Sequence, residues 1–170
     1  MSGAAGKDGV DAVSVVIPAL NEERTVAGVV DACLRSGAGE VLVIDSDSAD
    51  GTAAAAAAAG ARVVNWRDVD PREPVPGKGE ALWRGVKAAR GEVVVFVDAD
   101  VVNVQPWWIP ALAAPLENPA VHLVKANYVR AAGEMGRGRI GEPADRRPEP
   151  VDTRRRRGLE MSRLREEPRA

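Results

Sequence analysis

The sequence predicts an α/β fold, a mostly parallel sheet with flanking helices, and three observations carry that expectation. Short β-branched runs alternate with helical patterns along the first three quarters of the chain. The connections between them are short. The run over 93–97 (VVVFV) is unbroken and apolar, which suits a strand covered on both faces by helices, and it leads into Asp98 and Asp100.

Taken in order, residues 13–17 read as the first strand, stopped by Pro18. A helix follows over about 22–34, with Val26, Val29, Val30, Cys33 and Leu34 at helical spacing and Gly37 as its end signal. The second strand covers 41–44 and ends at Asp45. Asp50 can cap the alanine helix over 52–59, and Gly60 can close it. Residues 62–65 form the third strand, and a polar, proline-containing loop runs over 68–78. The next helix spans 80–89, with Leu82, Val86 and Ala89 on its apolar side and Gly91 at its end. The fourth strand is 93–97. A helix begins near Pro106 and carries Trp107 and Trp108, a pair read as packing. A fifth strand spans 122–128, with His122 at its start read as a structural histidine.

Composition limits the function. The chain has 170 residues, a net charge of −2 and 45% hydrophobic residues, so neither nucleic-acid binding nor global disorder is signalled. Cys33 is the single cysteine, which excludes an internal disulfide framework and fits a reducing compartment. No run approaches the ~18 apolar residues of a membrane span, and residues 1–11 lack a basic-then-apolar signal pattern. The expectation is a cytoplasmic protein without membrane insertion. Its organisation is a flexible N-terminus (1–11), a folded domain (12–130) and a disordered tail (131–170) rich in Arg, Pro and Glu.

The polar clusters fall after successive strands. Pro18-Ala19-Leu20-Asn21-Glu22-Glu23 follows the first, and Asp45-Ser46-Asp47-Ser48-Ala49-Asp50 the second. Gly77-Lys78-Gly79-Glu80 follows the third through its long loop, and Asp98-Ala99-Asp100 the fourth. In a parallel sheet these strand ends share one edge, where α/β proteins bind ligands. That edge collects acceptors (Glu22, Asp45), hydroxyls (Ser46, Ser48), a flexible cation (Lys78) and a carboxylate pair suited to a divalent cation. The inventory suits a nucleotide with a phosphate chain. A dinucleotide-binding fold would need Gly-x-Gly-x-x-Gly after the first strand, and 18–23 contains no glycine. An aspartyl phosphatase would place its Asp-x-Asp on the first strand, not the fourth.

The segments VSVVIPALNEERTV, VLVIDSDSADGT, PGKGEALWRG, GEVVVFVDAD and VHLVKANY, in this order, resemble GT-A-fold glycosyltransferases of the family 2 type. PGKGEALWRG and VHLVKANY narrow the likeness to the glucosyl-3-phosphoglycerate synthases. The resemblance implies transfer of glucose from UDP-glucose to 3-phosphoglycerate, with retention and with Mg²⁺ or Mn²⁺. It implies that Pro18, Ala19, Leu20, Glu22, Asp45, Ser48, Lys78 and Asp98 bind the nucleotide sugar and that Asp100 is the metal ligand. It also admits a homodimer, and it assigns no residue to the chemical step. The family's acceptor motif Gly-Gly-Gly-Arg-Val-Thr-Glu has a degraded likeness over 136–142 (GRGRIGE), which would leave Gly138 and Arg139 as acceptor-binding residues. Family members carry glycine where Asp47 stands, and a further metal-ligating histidine downstream, whereas no histidine follows His122. A truncation or frameshift after about residue 130 is therefore expected, and a catalytically inactive nucleotide-sugar-binding remnant is the alternative function.

Overall fold

Side chains alternate across β1 (Val13–Ala19), and both faces of this strand are covered. Val13, Val15 and Ile17 enter one core with Val29 and Val30 of α1 (Val26–Leu34) and Ile109 of α5 (Trp108–Ala113). Val16 enters the other, with Leu42 and Ile44 of β2 (Glu40–Asp45) and Ala81 of α4 (Lys78–Ala88). The structure, a computed structural model, describes residues 12–126. The remaining elements are α2 (Thr52–Ala58), β3 (Arg62–Asn65), the single turn α3 (Trp66–Val69), β4 (Val93–Phe96) and a 3-10 turn at Ala114–Glu117. The sheet is parallel, in the order β3-β2-β1-β4, between α1, α2 and α5 on one face and α3 and α4 on the other.

Several expectations from the sequence are corrected. Pro18 does not stop β1, which pairs Pro18 with Ile44 and Ala19 with Asp45. Hydrogen bonds alternate sides along a central strand. Val16 bonds toward β4 (Val97 N–H donates to its carbonyl, 3.1 Å) and Ala19 toward β2, so the missing donor of Pro18 faces β4 beyond the last ladder pair. Residues 22–25 form a turn rather than the first helical turn, because Asn21 is left-handed (φ 57°) and the Glu22 and Glu23 amides donate to Thr52 and Asp50. The 68–78 loop begins later than α3, which is capped by the Asn65 side chain accepting from Arg67 N–H (2.9 Å).

Strand β4 is an edge strand with one well-covered face. Val95 and Val97 are buried, but Phe96 is 43% exposed. Helix α4 presents Ala81, Arg84 and Gly85 inward, while Val86, expected on its apolar side, is exposed. A methyl on Gly85 would collide with Val16, so only a glycine lets α4 lie this close to the sheet. The fifth strand is not present over 122–126, which has no ladder partner and leaves Leu123 exposed. The rest of that expected strand, residues 1–11, and the tail over 131–170 lie outside the described residues. Trp108 packs against the core, and Trp107 stands edge-on to it, 6.2 Å between centroids, and is exposed.

Candidate functional site

The loops after β1 and β2 are stitched into one wall at the C-terminal edge of the sheet. Asn21 N–H donates to Ser48 Oγ (2.9 Å), and Ala49 N–H donates back to Asn21 Oδ1 (2.8 Å). Glu22 N–H donates to Oγ1 of Thr52, which is fully buried (2.7 Å). Gly51 N–H donates to Glu23 Oε2 (3.2 Å), and Ser46 N–H to the Ala19 carbonyl (2.9 Å). The sequence reading named Ser48 and Glu22 but missed Asn21 and Thr52 as the residues that join them. Asx and Thr side chains in turns carry a general signal for such bonds, but not for their partners.

Asp45 closes β2 with its carboxylate buried beside Ala19. Its Oδ2 accepts from Ser48 N–H (3.3 Å), and its Oδ1 has no partner among the described residues. A buried acceptor without a donor is costly, so it is an observation that asks for a ligand N–H or O–H. Asp47 follows with φ 62°, the left-handed backbone that a glycine adopts without strain. Its carboxylate accepts from Arg67 Nε (2.7 Å) and Asn65 Nδ2 (3.0 Å). The Trp66 indole, Asn65 and Arg67 together hold its carboxyl below the ordinary range.

The second group lies beyond β4. Lys78 opens α4 after Gly77, whose φ of 139° requires glycine, and its Nζ pairs with Asp98 Oδ1 at 2.6 Å. Both side chains are about half exposed, so the pair is open to exchange with an incoming ligand. Asp100 is exposed on the same segment. Among the described residues no three acidic, His or Cys side chains gather around one point. The two carboxylates still fit a hard divalent cation that takes its other oxygens from a phosphate chain and water.

The structure thus brings Pro18, Ala19, Asp45 and Ser48 together by register and hydrogen bonding, ties Glu22 to them through Thr52, and pairs Lys78 with Asp98. Leu20 is exposed at the rim. Gly138 and Arg139 lie outside the described residues. Behind Lys78 stands a feature that the sequence reading missed, the buried guanidinium of Arg84. Asp70, also buried, accepts from Arg72 and Lys87, whose hydrogen bonds hold its carboxyl well below the ordinary range.

A parallel sheet with a nucleotide-type edge, an Asp-x-Asp after its fourth strand and a Lys between two glycines defines a sugar-nucleotide transferase fold. The glycosyl transferase family 2 model matches residues 14–165, and the chain belongs to that family. Its relatives include the glucosyl-3-phosphoglycerate synthase of Mycolicibacterium paratuberculosis, 46% identical over 144 residues, covering 76% of this chain and 44% of that protein. The enzyme of the same name from Mycobacterium tuberculosis is 46% identical over 123 residues, covering 69% and 38%. A crystal structure of the M. tuberculosis enzyme with Mn²⁺, UDP-glucose and phosphoglyceric acid superposes with a TM-score of 0.60 at 44% identity, covering 62% of this chain and 39% of that one. The expected GT-A-type architecture stands. The chain spans less than half the length of the curated relatives it matches.

Proposed function

We propose that the chain binds UDP-glucose along the C-terminal edge of its sheet and transfers the glucose to 3-phosphoglycerate, with retention of configuration. The observation that carries the reading is the acceptor Oδ1 of Asp45, buried and without a donor among the described residues, at the edge that also holds Lys78, Asp98 and Asp100. In this reading Asp45 accepts a base N–H of the uracil, while Pro18, Ala19 and Leu20 bound the uracil and Glu22 and Ser48 the ribose. Lys78 exchanges the carboxylate of Asp98 for the diphosphate, where an ammonium offsets charge on the departing UDP. That exchange frees Asp98 toward the ribose and metal, with Asp100 as the direct ligand of Mg²⁺ or Mn²⁺. The cation, when bound, acts as a Lewis acid on the diphosphate. Gly138 and Arg139 would hold the acceptor, Arg139 by its guanidinium on phosphate.

The names and bound ligands of the relatives favour this substrate pair. A cytoplasmic location and a homodimer belong to the same proposal. A single buried thiol favours the first, and no helix among the described residues is long and apolar enough to cross a membrane. Titration calorimetry with UDP and Mn²⁺ tests the donor site, and absence of binding refutes the reading. Release of UDP from UDP-glucose that depends on 3-phosphoglycerate tests transfer. Binding without that release would assign a nucleotide-sugar-binding module instead. Asp100→Asn is expected to abolish the Mn²⁺ dependence of UDP binding while leaving the fold intact.

A further inference from the structure

Arg84 is fully buried, and an arginine keeps its charge wherever it is placed. Burial of that charge is tolerated only when its donors are met, and here hydrogen bonds among the described residues meet four of the five. Nη1 donates to the carbonyls of Trp66 (2.7 Å) and Asp70 (3.0 Å), and Nη2 to the carbonyl of Arg72 (2.7 Å). Nε donates to Glu80 Oε1 (2.8 Å), one helical turn earlier on α4. One planar group therefore holds three points of the connection from β3 to α4 and one point on α4 itself.

The bonded positions flank the site segment. The connection is held up to Arg72, Gly77-Lys78-Gly79 follows, and Glu80 is held just beyond it. Added methyls at Gly77 and Gly79 would meet nothing within 4 Å, so packing does not fix this segment locally. Gly77, just outside the helix, is the flexible point of the segment, while Lys78 and Gly79 are held as the first residues of α4. The Nζ of Lys78 nevertheless reaches Asp98. A second layer reinforces the connection from outside. Arg72 and Lys87 lie over the Trp83 ring, 4.7 and 4.8 Å from its centroid, and both pair with Asp70.

We propose that Arg84 is the positioning residue of the donor site, fixing the β3-to-α4 connection so that Lys78 is delivered against Asp98. The inference rests on the donor-site reading above and deepens it. Arg84 touches no reacting group, and its effect passes through the backbone on either side of Lys78.

The test uses the full chain with Arg84→Lys and Arg84→Met, read by hydrogen exchange and by calorimetry with UDP and Mn²⁺. Lysine keeps the charge but cannot span the four acceptors as a planar fork. In Arg84→Lys, amides over 66–77 are expected to exchange faster while those of β1 and β2 keep their protection. UDP affinity is expected to fall about tenfold, as for other residues that orient a ligand-binding group. If Arg84 acts through Lys78, Lys78→Ala combined with Arg84→Lys binds no more weakly than Lys78→Ala alone. Full additivity, affinity within twofold of the parent, or unchanged exchange over 66–77 each overturns the proposal. Should Arg84→Met fail to fold, Arg84→Lys and the double variant still decide it. A parent chain that binds no UDP refutes the donor-site reading instead, and exchange over 66–77 then still decides whether Arg84 holds the connection.

Discussion

Gly85→Ala tests the spacing between α4 and the sheet, on which the placement of Lys78 depends. The added methyl would lie inside van der Waals contact with Val16 Cγ1 and 3.5 Å from Ile44 Cγ1. Val16 and Ile44 are fully buried on the two central strands, so neither can turn away. Overpacking of this kind costs about 1–3 kcal/mol. Against it stands the helix propensity that alanine gains over glycine, about 1 kcal/mol. The collision is with a strand-borne branched side chain rather than a flexible tip, so the upper half of the range applies. The net loss is then about 1–2 kcal/mol, or a fall in Tm of roughly 5 °C or more. Gly28→Ala is the control. Gly28 lies inside α1, is exposed, and a methyl there meets nothing within 4 Å, so the same substitution should stabilise by about 0.5–1 kcal/mol. Urea unfolding followed by circular dichroism measures both. A Gly85→Ala protein as stable as the parent would refute the claim that this contact sets the distance of α4 from the sheet. The same variant should also bind UDP and Mn²⁺ more weakly, because Lys78 and Arg84 ride on that helix.

Thr52→Val removes the acceptor of the Glu22 amide without changing volume, and should cost about 1–3 kcal/mol in urea unfolding. Unchanged stability would mean that water replaces Thr52 in the wall. Asp70 has a native pKa below its unfolded value, so its stabilisation is present above about pH 4 and lost as pH falls through the native value. Asp70→Asn should therefore be less stable than the parent at neutral pH, with the gap narrowing in acid, and an equal gap at both pH values contradicts the assignment. Burial pushes the Cys33 thiol up to about 12. It should stay unreactive toward a disulfide reagent in the native protein at pH 8 and react once on unfolding, and prompt native reaction would show that the core over α1 opens.

The four strands and their shared edge were legible because β-branched runs and strand-end carboxylates are local signals. Asp45, Lys78 and Asp98 are candidates on the same ground, as polar residues in the connections that follow strands of a parallel sheet. Pro18 was misread because a ladder alternates sides, and which side of β1 loses its partner first depends on where β4 ends. The inner face of α4 was misread because a buried arginine and a glycine replaced the usual large apolar residues. Leu82 and Val86 have the hydrophobicity, but Gly85 has the fit. Arg84 carried little sequence signal, since three of its four acceptors are backbone carbonyls that any residue supplies, and the i,i+4 pair with Glu80 reads as an ordinary surface pair. The expected fifth strand shows the converse limit, as β-branched residues over 121–124 make a strand only beside a partner.

The strand order has a kinetic consequence. Strands β1, β2 and β3 pair with near neighbours in sequence, whereas β4 pairs Val93 with Val13 across the whole span between them. Closing that loop carries the largest entropy cost of any pairing in the sheet, so β4 is expected to dock late in folding. The turn around Gly91, whose amide donates to the buried hydroxyl of Ser14 (2.8 Å), seals the same junction. Asp98 and Asp100, which follow β4, would come into place with that step. A chain caught before it, with three strands paired, would hold the Asp45 wall and lack the carboxylates. If the proposed donor site is right, recovery of UDP binding on refolding should track the slowest phase.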